Sequence, residues 1–501
     1  MTGREGSAHS ERDMDLSALQ PLLSHIERAR AVVVGDLMVD RYVSGEVSRV
    51  SPEAPIPVLN RRAEAVMLGA AGNVARNLAA LGVEAGLIGV VGSDAAAHEA
   101  AMLIGSEVRI ESFIVTDPDR ATTTKTRFVA AGQQLLRVDD EDARTIGGEI
   151  EQRLCRTIRE ASAGAGVMLV SDYGKGVATQ QVIETALEVA RAARAPLIID
   201  SKAEDFSRYG EVDLIKPNAA ELARVANLPV NTDEEIEAAL EVALASCAAH
   251  AILVTRGAKG MSLARRAQAV QHFRTEPAEV FDSSGAGDTV MASLGAALAA
   301  GASLDEAIAL GLLASRLAVA KAGSAVVTPD ELLEAAVATG LAASEAKIAT
   351  SHRAAREAAL WRERGLRVGF TNGCFDILHP GHVSCLHQAR AWCDRLIVGL
   401  NTDEGVKALK GAGRPVNPLQ SRAMVLAALA FVDLVVPFEE PTPMALIEAV
   451  KPDLLVKGGD YSASQVVGGD LVRAWGGEVR IAPLVAGQST TAAIRRAGGG
   501  R

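Results

Sequence analysis

Along the chain, short apolar runs alternate with longer segments whose apolar positions recur every three or four residues. AVVVGD (31–36), AGLIGVVG (85–92), VMLVSD (167–172), PLIIDSK (196–202), DLIKPN (213–218) and AILVTRG (251–257) are of strand length. QQVIETALEVARAAR (180–194) carries the helical pattern between two of them. Continuous apolar strands separated by helices predict a parallel sheet covered on both faces. After AVVTPDELLEAAVATG (325–340) the strand pattern stops, and the segment 341–365 reads as charged helix. It then restarts with LRVGFTNG (366–373), DRLIVGLNTD (394–403), VDLVVPF (432–438), PDLLVKGGD (452–460) and GEVRIAPL (477–484). Five short strands predict a second, smaller doubly wound unit, whose ligands belong at the carboxyl ends of its strands.

A chain of 501 residues is too long for one hydrophobic core. The pattern places domains at 1–335 and 363–501, joined by a helical linker at 336–362, and the two halves do not repeat one another. Hydrophobic residues make up 49% and aromatics 3%, so the cores are built from Ala, Val and Leu. The net charge of −11 leaves no basic surplus for nucleic acid, although a small phosphorylated substrate needs only a few placed cations. Five scattered cysteines make no disulfide framework and fit a reducing compartment. The first 15 residues lack the apolar core of a signal peptide. No run approaches the ~20 apolar residues of a membrane span. The expectation is a soluble cytoplasmic protein without nucleic-acid or membrane partners.

FDSSGAGDTVMASLGAALAAG (281–301) is a small-residue turn running into an Ala-rich helix. Gly285 and Gly287 let backbone N–H groups converge at a helix N-terminus, which favours an anion. Asp288 follows in the first turn. It is either a helix-end acid complementing the dipole or a base placed to take a proton from an incoming hydroxyl. From about 30 to 335 the chain resembles the ribokinase/PfkB family of sugar kinases. The matching elements are DSSGAGD, LGAAGNVARNLAALG (68–82), VGDLMVD (34–40), KPNAAEL (216–222) and LVTRGAKG (253–260). Ser284 stands where many members have threonine, and Ala70 departs from the more usual Gly-Gly.

The resemblance implies a ribokinase-like three-layer α/β domain with a β lid, and Asp288 as general base. It implies an anion hole at Gly285, Ala286 and Gly287. It places ATP on Asn218, Ala219, Ala220, Glu221, Thr255 and Gly257, and the sugar on Asp36, Asp40, Gly72, Asn73, Arg127 and Asp172. Mg²⁺ arrives with ATP, with Glu221 as a possible assistant. The insertions 45–59 and 122–142 supply the lid, where Arg49, Lys125 and Arg127 either hold a phosphorylated substrate or are ordinary surface cations. Lys175, in SDYGKG (171–176), also follows a strand end. No Walker A pattern competes.

GCFDILHPGH (373–382) sets His379 and His382 three apart, with Cys374 ahead and Cys385 behind. A zinc site is one reading, but this stretch joins a strand to a helix rather than forming a loop-rich knuckle. Cys385 also shares a helical face with Leu386, Ala389, Trp392 and Cys393. Two histidines satisfied by local hydrogen bonds are a second reading. A phosphate site at a helix N-terminus is the third, and it accounts for both rings. The segment 363–496 resembles the cytidylyltransferase-like nucleotidyltransferases, with His379-Pro380-Gly381-His382 as their H-x-G-H motif. That likeness implies a Rossmann-like fold, catalysis by His379 and His382, and no zinc. It implies ATP or phosphate contacts from Thr371, Asn372, Phe375, Lys407, Lys410, Arg422, Lys457, Ser489, Thr490 and Thr491. Asp376 and Asp460 stand in the same motifs.

Taken whole, the pattern is similar to a family of bifunctional D-glycero-β-D-manno-heptose-phosphate kinase/adenylyltransferases. The likeness implies two ATP-dependent transfers, first to O1 of heptose 7-phosphate and then of AMP to heptose 1-phosphate. It also implies a homodimer formed through the kinase lid. A kinase/cytidylyltransferase acting on another sugar or polyol phosphate is the alternative.

Overall fold

The computed structural model describes residues 16–275, 281–321, 323–459 and 465–483. The chain forms two compact units, Met1–Ala336 and Val337–Arg501.

The strands of the first unit are β1 (Arg30–Val50), β2 (Pro57–Ala70), β3 (Glu84–Val91), β4 (Ile110–Thr116), β5 (Thr123–Ala130) and β6 (Gln133–Asp140). They continue with β7 (Val167–Asp172), β8 (Leu197–Ser201), β9 (Leu214–Lys216), β10 (Ala251–Thr255), β11 (Met261–Arg265) and β12 (Gln271–Phe273). The central sheet runs β12-β11-β10-β9-β8-β7-β1-β3-β4, parallel from β10 through β4. Successive residues of each inner strand feed opposite faces: Val33 and Leu169 join one core, while Val32, Val34, Met168 and Val170 join the other. Side chains alternate across a strand, so helices cover both faces and the three-layer expectation is met.

β1 outlasts the sheet it starts in. Arg30–Asp36 pair with β3, and Ala31–Gly35 with β7. From Leu37 the same strand pairs with β2, and from Met38 with β5, which pairs in turn with β6. These four strands are the lid. Gly35 sits at the exchange, where a Cβ would lie 2.2 Å from the carbonyl oxygen of Ser171, so only glycine lets β1 and β7 approach there. The lid thus grows from the strand that carries Asp36 and Asp40. Ala70, which ends β2, holds φ 49°, a region that suits the glycine more usual at that position.

The second unit has β13 (Val368–Gly373), β14 (Arg395–Asn401), β15 (Leu434–Phe438), β16 (Leu454–Gly458) and β17 (Glu478–Ala482). All are parallel, in the order β15-β14-β13-β16-β17. Strand order reverses at β13, so a crevice opens beyond its carboxyl end. One finding differs from expectation. The stretch 336–362 is not a bare linker: the helix Ser351–Glu363 buries Ala354 and Ala358 among Val368, Phe370 and Ile397 of the second core. Its Arg362 donates to the carbonyl of Val450 (2.7 Å). Its charged surface hid an apolar face made of alanines.

Candidate active sites

In the first unit, Asp288 lies in the first turn of the helix Ala286–Ala299 and is buried. Asn73 Nδ2 donates to its Oδ2 (2.8 Å), and Tyr173 Oη donates to its Oδ1 (2.8 Å). Burial is the largest influence on this carboxyl and pushes its pKa up to about 6; Asp200 adds to the rise, while both hydrogen bonds and Lys216 oppose it. A group that titrates there is ionised at neutral pH yet still basic enough to accept a proton.

Asn73 and Asp288 are 215 positions apart and belong to the two signature stretches, so the fold brings those stretches together. Gly285 makes the approach possible. It has φ 76°, and a Cβ there would sit 2.8 Å from Asn73 Nδ2. A second tier was not foreseen: Thr289 Oγ1 donates to Asn77 Oδ1 (3.1 Å), and Asn77 Nδ2 donates to the carbonyl of Asn73 (2.9 Å). Of the three amides expected to form the anion hole, that of Ala286 donates to the Ser283 carbonyl (3.3 Å). Lys216, buried and paired with Asp200 (3.1 Å), brings a cation to Gly287, with Nζ 3.8 Å from where a Cβ would stand.

Several residues expected to touch the sugar already have partners within the protein. Asp36 accepts the backbone N–H groups of Tyr173 (2.8 Å), Lys175 (3.0 Å) and Val177 (3.2 Å). It anchors the loop after β7, and burial raises its pKa to about 6. Asp172 accepts from Tyr209 Oη (2.7 Å) and from the Gly174 amide (3.0 Å) beneath that loop. Gly72 is a packing glycine, since a Cβ would meet Leu37 at 2.8 Å and Leu68 at 2.9 Å. Asp40 accepts from Arg127 (2.6 Å), whose guanidinium also lies over the Tyr42 ring (5.1 Å). Lys175 pairs with Glu141 (2.7 Å), and Arg49 is exposed. Lys125 is different: it is half-buried over the Tyr173 ring (5.8 Å), and burial lowers its pKa.

Among the residues expected to hold ATP, Asn218 and Glu221 form a capping box on the helix Ala219–Ala226. Glu221 Oε2 accepts the Asn218 amide (2.7 Å) and Oε1 accepts Lys202 (3.0 Å), so both oxygens already have partners. A bridge between Asn218 and Thr255 sets the ends of β9 and β10 side by side, next to the exposed turn at Gly257.

In the second unit, His379 is the N-cap of the helix Pro380–Ala391, at the carboxyl end of β13. Its ring stacks on that of His382 with centroids 3.8 Å apart, and Phe375 closes on His382 at 5.1 Å. Neither Nδ1 makes a hydrogen bond of ordinary geometry, although both are buried. Burial, the neighbouring ring and Lys410 lower the His382 pKa to about 4; burial and Lys410 lower that of His379. Two neutral rings with unspent nitrogens at a helix N-terminus suit an incoming phosphate.

Lys457 Nζ donates to Asn372 Oδ1 (3.1 Å) and to its carbonyl (3.2 Å), tying β16 to β13 across the crevice. Thr371 is buried in β13, while Lys407 and Lys410 are exposed on the helix Asp403–Lys410. Asp376 accepts from Arg414 and from the amide of Val416 (2.6 Å), holding the following loop. Arg422 departs from expectation. It is 2% exposed and donates to the carbonyls of Asn417 (3.0 Å), Cys374 (2.7 Å) and Asn401 (2.8 Å) and to Asp403 (2.7 Å). Four of its five N–H groups are spent in tying the ends of β13 and β14 to the loop before its own helix, so it shapes the site rather than reaching into it. Asp460, Ser489, Thr490 and Thr491 lie outside the described residues. Among the described residues, no group of three or more His, Cys, Asp or Glu side chains gathers as metal ligands, and no helix is long and apolar enough to cross a membrane.

Comparison with known proteins gives a family to each unit. The pfkB family of carbohydrate kinases matches residues 28–331, and the cytidylyltransferase-like family matches 370–489. Bifunctional protein HldE of Paramagnetospirillum magneticum is 48% identical over 485 residues, covering 97% of this chain and 99% of that protein. The protein of the same name in Caulobacter vibrioides is 50% identical over 479 residues, covering 95% and 99%. Phosphofructokinase-2 from Escherichia coli, in complex with substrates and products, matches in fold with a TM-score of 0.52 at 20% identity, over 62% of this chain and 99% of that one. With two nucleotide-using units covered end to end by such relatives, the chain belongs to the bifunctional HldE family of enzymes, a pfkB-type carbohydrate kinase joined to a cytidylyltransferase-like nucleotidyltransferase.

Proposed function

We propose that the first unit phosphorylates D-glycero-β-D-manno-heptose 7-phosphate at O1 with ATP. The second then transfers AMP from ATP to D-glycero-β-D-manno-heptose 1-phosphate, giving ADP-heptose, a lipopolysaccharide core precursor, and pyrophosphate. The observation that carries this reading is the likeness to bifunctional HldE proteins over nearly the whole of both chains.

In the kinase, Asp288 takes the proton of the anomeric hydroxyl as its oxygen attacks the γ-phosphorus of ATP. Asn73 and Tyr173 hold the carboxylate still during that transfer. Phosphoryl transfer depends mainly on positioning and charge stabilisation, supplied by the helix N-terminus at Gly285–Gly287 and by Lys216. Mg²⁺ carried by ATP neutralises phosphate charge. Glu221 fits a direct ligand role poorly, because Lys202 and the Asn218 amide occupy its oxygens. Lys125, inside the lid, faces the 7-phosphate, while Arg127 and Asp40 frame the sugar.

In the nucleotidyltransferase, a phosphate oxygen of the sugar attacks the α-phosphorus of ATP directly. The protein's work is to hold the reactants in line and stabilise the crowded phosphorus and the departing pyrophosphate. His379 and His382 donate to the phosphate at the helix N-terminus, and Lys410 and Lys457 bring cations. Zinc has no part in this reading. The enzyme acts as a cytoplasmic homodimer; dimerisation through the lid is supported by edge strand β6, exposed along its whole length, Leu135, Leu136 and Val138 included.

Two single variants test the assignment. Asp288→Asn abolishes phosphorylation and spares AMP transfer, and His382→Ala does the reverse. Loss of both activities from either change, in folded protein, would contradict two separate sites.

A further inference from the structure

Tyr173 lies within SDYGKG (171–176) but is given no role by the family motifs, yet it is the residue that joins the sugar-side loop to the base. Its backbone N–H is pinned by Asp36 (2.8 Å), which also holds the amides of Lys175 and Val177. Its hydroxyl donates to Asp288 Oδ1 (2.8 Å). Its ring is flanked by the ammonium groups of Lys202 (4.6 Å) and Lys125 (5.8 Å). A loop residue locked by a buried carboxylate at one end and hydrogen-bonded to another at the other has little freedom to move.

We infer that Tyr173 is a positioning residue for the kinase reaction, acting through the hydrogen bond from its hydroxyl to Asp288. The inference rests on Asp288 being the general base. The tyrosine holds one carboxylate oxygen and Asn73 holds the other, so the remaining lone pairs point toward the sugar hydroxyl. It also sets the proton affinity of the base, because a donor to a carboxylate stabilises the charged form. Burial and the charges of Asp288, Asp200 and Asp40 keep the phenol protonated, its pKa well above the ordinary value, so it remains a donor. The groups facing Asp288 are Asn73, Tyr173, Asp200 and Lys216; those facing the tyrosine are Asp288, Asp200, Asp40, Lys125 and Lys202.

Tyr173→Phe keeps the ring, its two flanking cations and the Asp36 anchor, and removes only the donor. The experiment is the pH dependence of kcat for phosphorylation, measured for wild type, Tyr173→Phe and Asp288→Asn. AMP transfer is assayed on the same samples as a control for intact protein. The expected result for Tyr173→Phe is a kcat lowered by about 10- to 100-fold at pH 7 with KM for the sugar changed little. Its acid limb should move up by about one pH unit, so that part of the loss is recovered at higher pH. An acid limb at the wild-type position, or a change confined to KM, would overturn the inference while leaving Asp288 as base. Kinase activity surviving in Asp288→Asn would overturn the base assignment, and this inference with it.

Discussion

Gly285→Ala is the sharpest small change the kinase site allows. Two costs follow from the structure. An alanine at φ 76° is strained by about 1–2 kcal/mol, too little to unfold a domain with some 5–15 kcal/mol of stability. The larger effect is local. The new methyl would lie 2.8 Å from Asn73 Nδ2 and 3.3 Å from Ser324 Cβ, so Asn73 must turn away from Asp288. A hydrogen bond to a charged group is worth about 1.5–3 kcal/mol, or roughly 10- to 150-fold in rate if felt fully in the transition state. The assay is steady-state phosphorylation beside AMP transfer on the same protein, with calorimetry to confirm folding. Phosphorylation should fall by about that factor, with AMP transfer unchanged. Adding Asn73→Ala should cost little more, because both changes remove one contact. A folded Gly285→Ala enzyme phosphorylating within twofold of wild type, or full additivity with Asn73→Ala, would refute the reasoning.

Two further outcomes concern the second unit. His382, its pKa lowered to about 4 by burial, His379 and Lys410, should remain neutral down to about pH 5 in the ligand-free protein. An NMR titration with ¹³C-labelled histidine, assigned by comparison with His382→Ala among the nine histidines, reads this directly, and a midpoint above 6 would contradict it. Linkage gives the stability sign: below its ordinary pKa of about 6.5 the unfolded ring binds more protons than the folded one, so this group's contribution falls as pH drops from 6.5 toward 4. Arg422→Met removes the clasp on Cys374, Asn401, Asn417 and Asp403. Losing one partner of so buried a network costs about 3–5 kcal/mol, which should lower the second unit's calorimetric transition by about 10 °C and leave the first unit's in place.

The strands most visible in the sequence were those buried on both faces. The buried stretches of β7, β14 and β15 are apolar runs flanked by helical patterns, and a strand buried on both faces has little other way to look; β17, half-buried, mixes Glu478 and Arg480 into its run. The strands β5 and β6 were visible only as a lid insertion, and β2 only at its start, because polar and apolar residues mix where both faces meet solvent or substrate. Asp288, His379 and His382 stood out because a charged or titratable group beside small residues at a helix start has few structural uses. Tyr173, Asn77, Thr289 and Lys216 did not: they are ordinary residue types whose partners the chain brings in from far away. Asp36, Asp172 and Arg422 illustrate the converse. At a strand end a carboxylate or guanidinium reads the same whether it faces a substrate or a neighbouring loop's backbone, and only the fold separates the two.

The central claim is tested most directly by a ³¹P NMR time course. The enzyme is supplied with Mg²⁺, ATP and D-glycero-β-D-manno-heptose 7-phosphate, and a sugar-bisphosphate phosphatase is added midway. An anomeric phosphate should appear before the phosphatase, then pyrophosphate and the paired resonances of a diphosphate diester after it. Absence of an anomeric phosphate, from an enzyme that turns over ATP on other sugars, would leave both folds standing and contradict the heptose assignment.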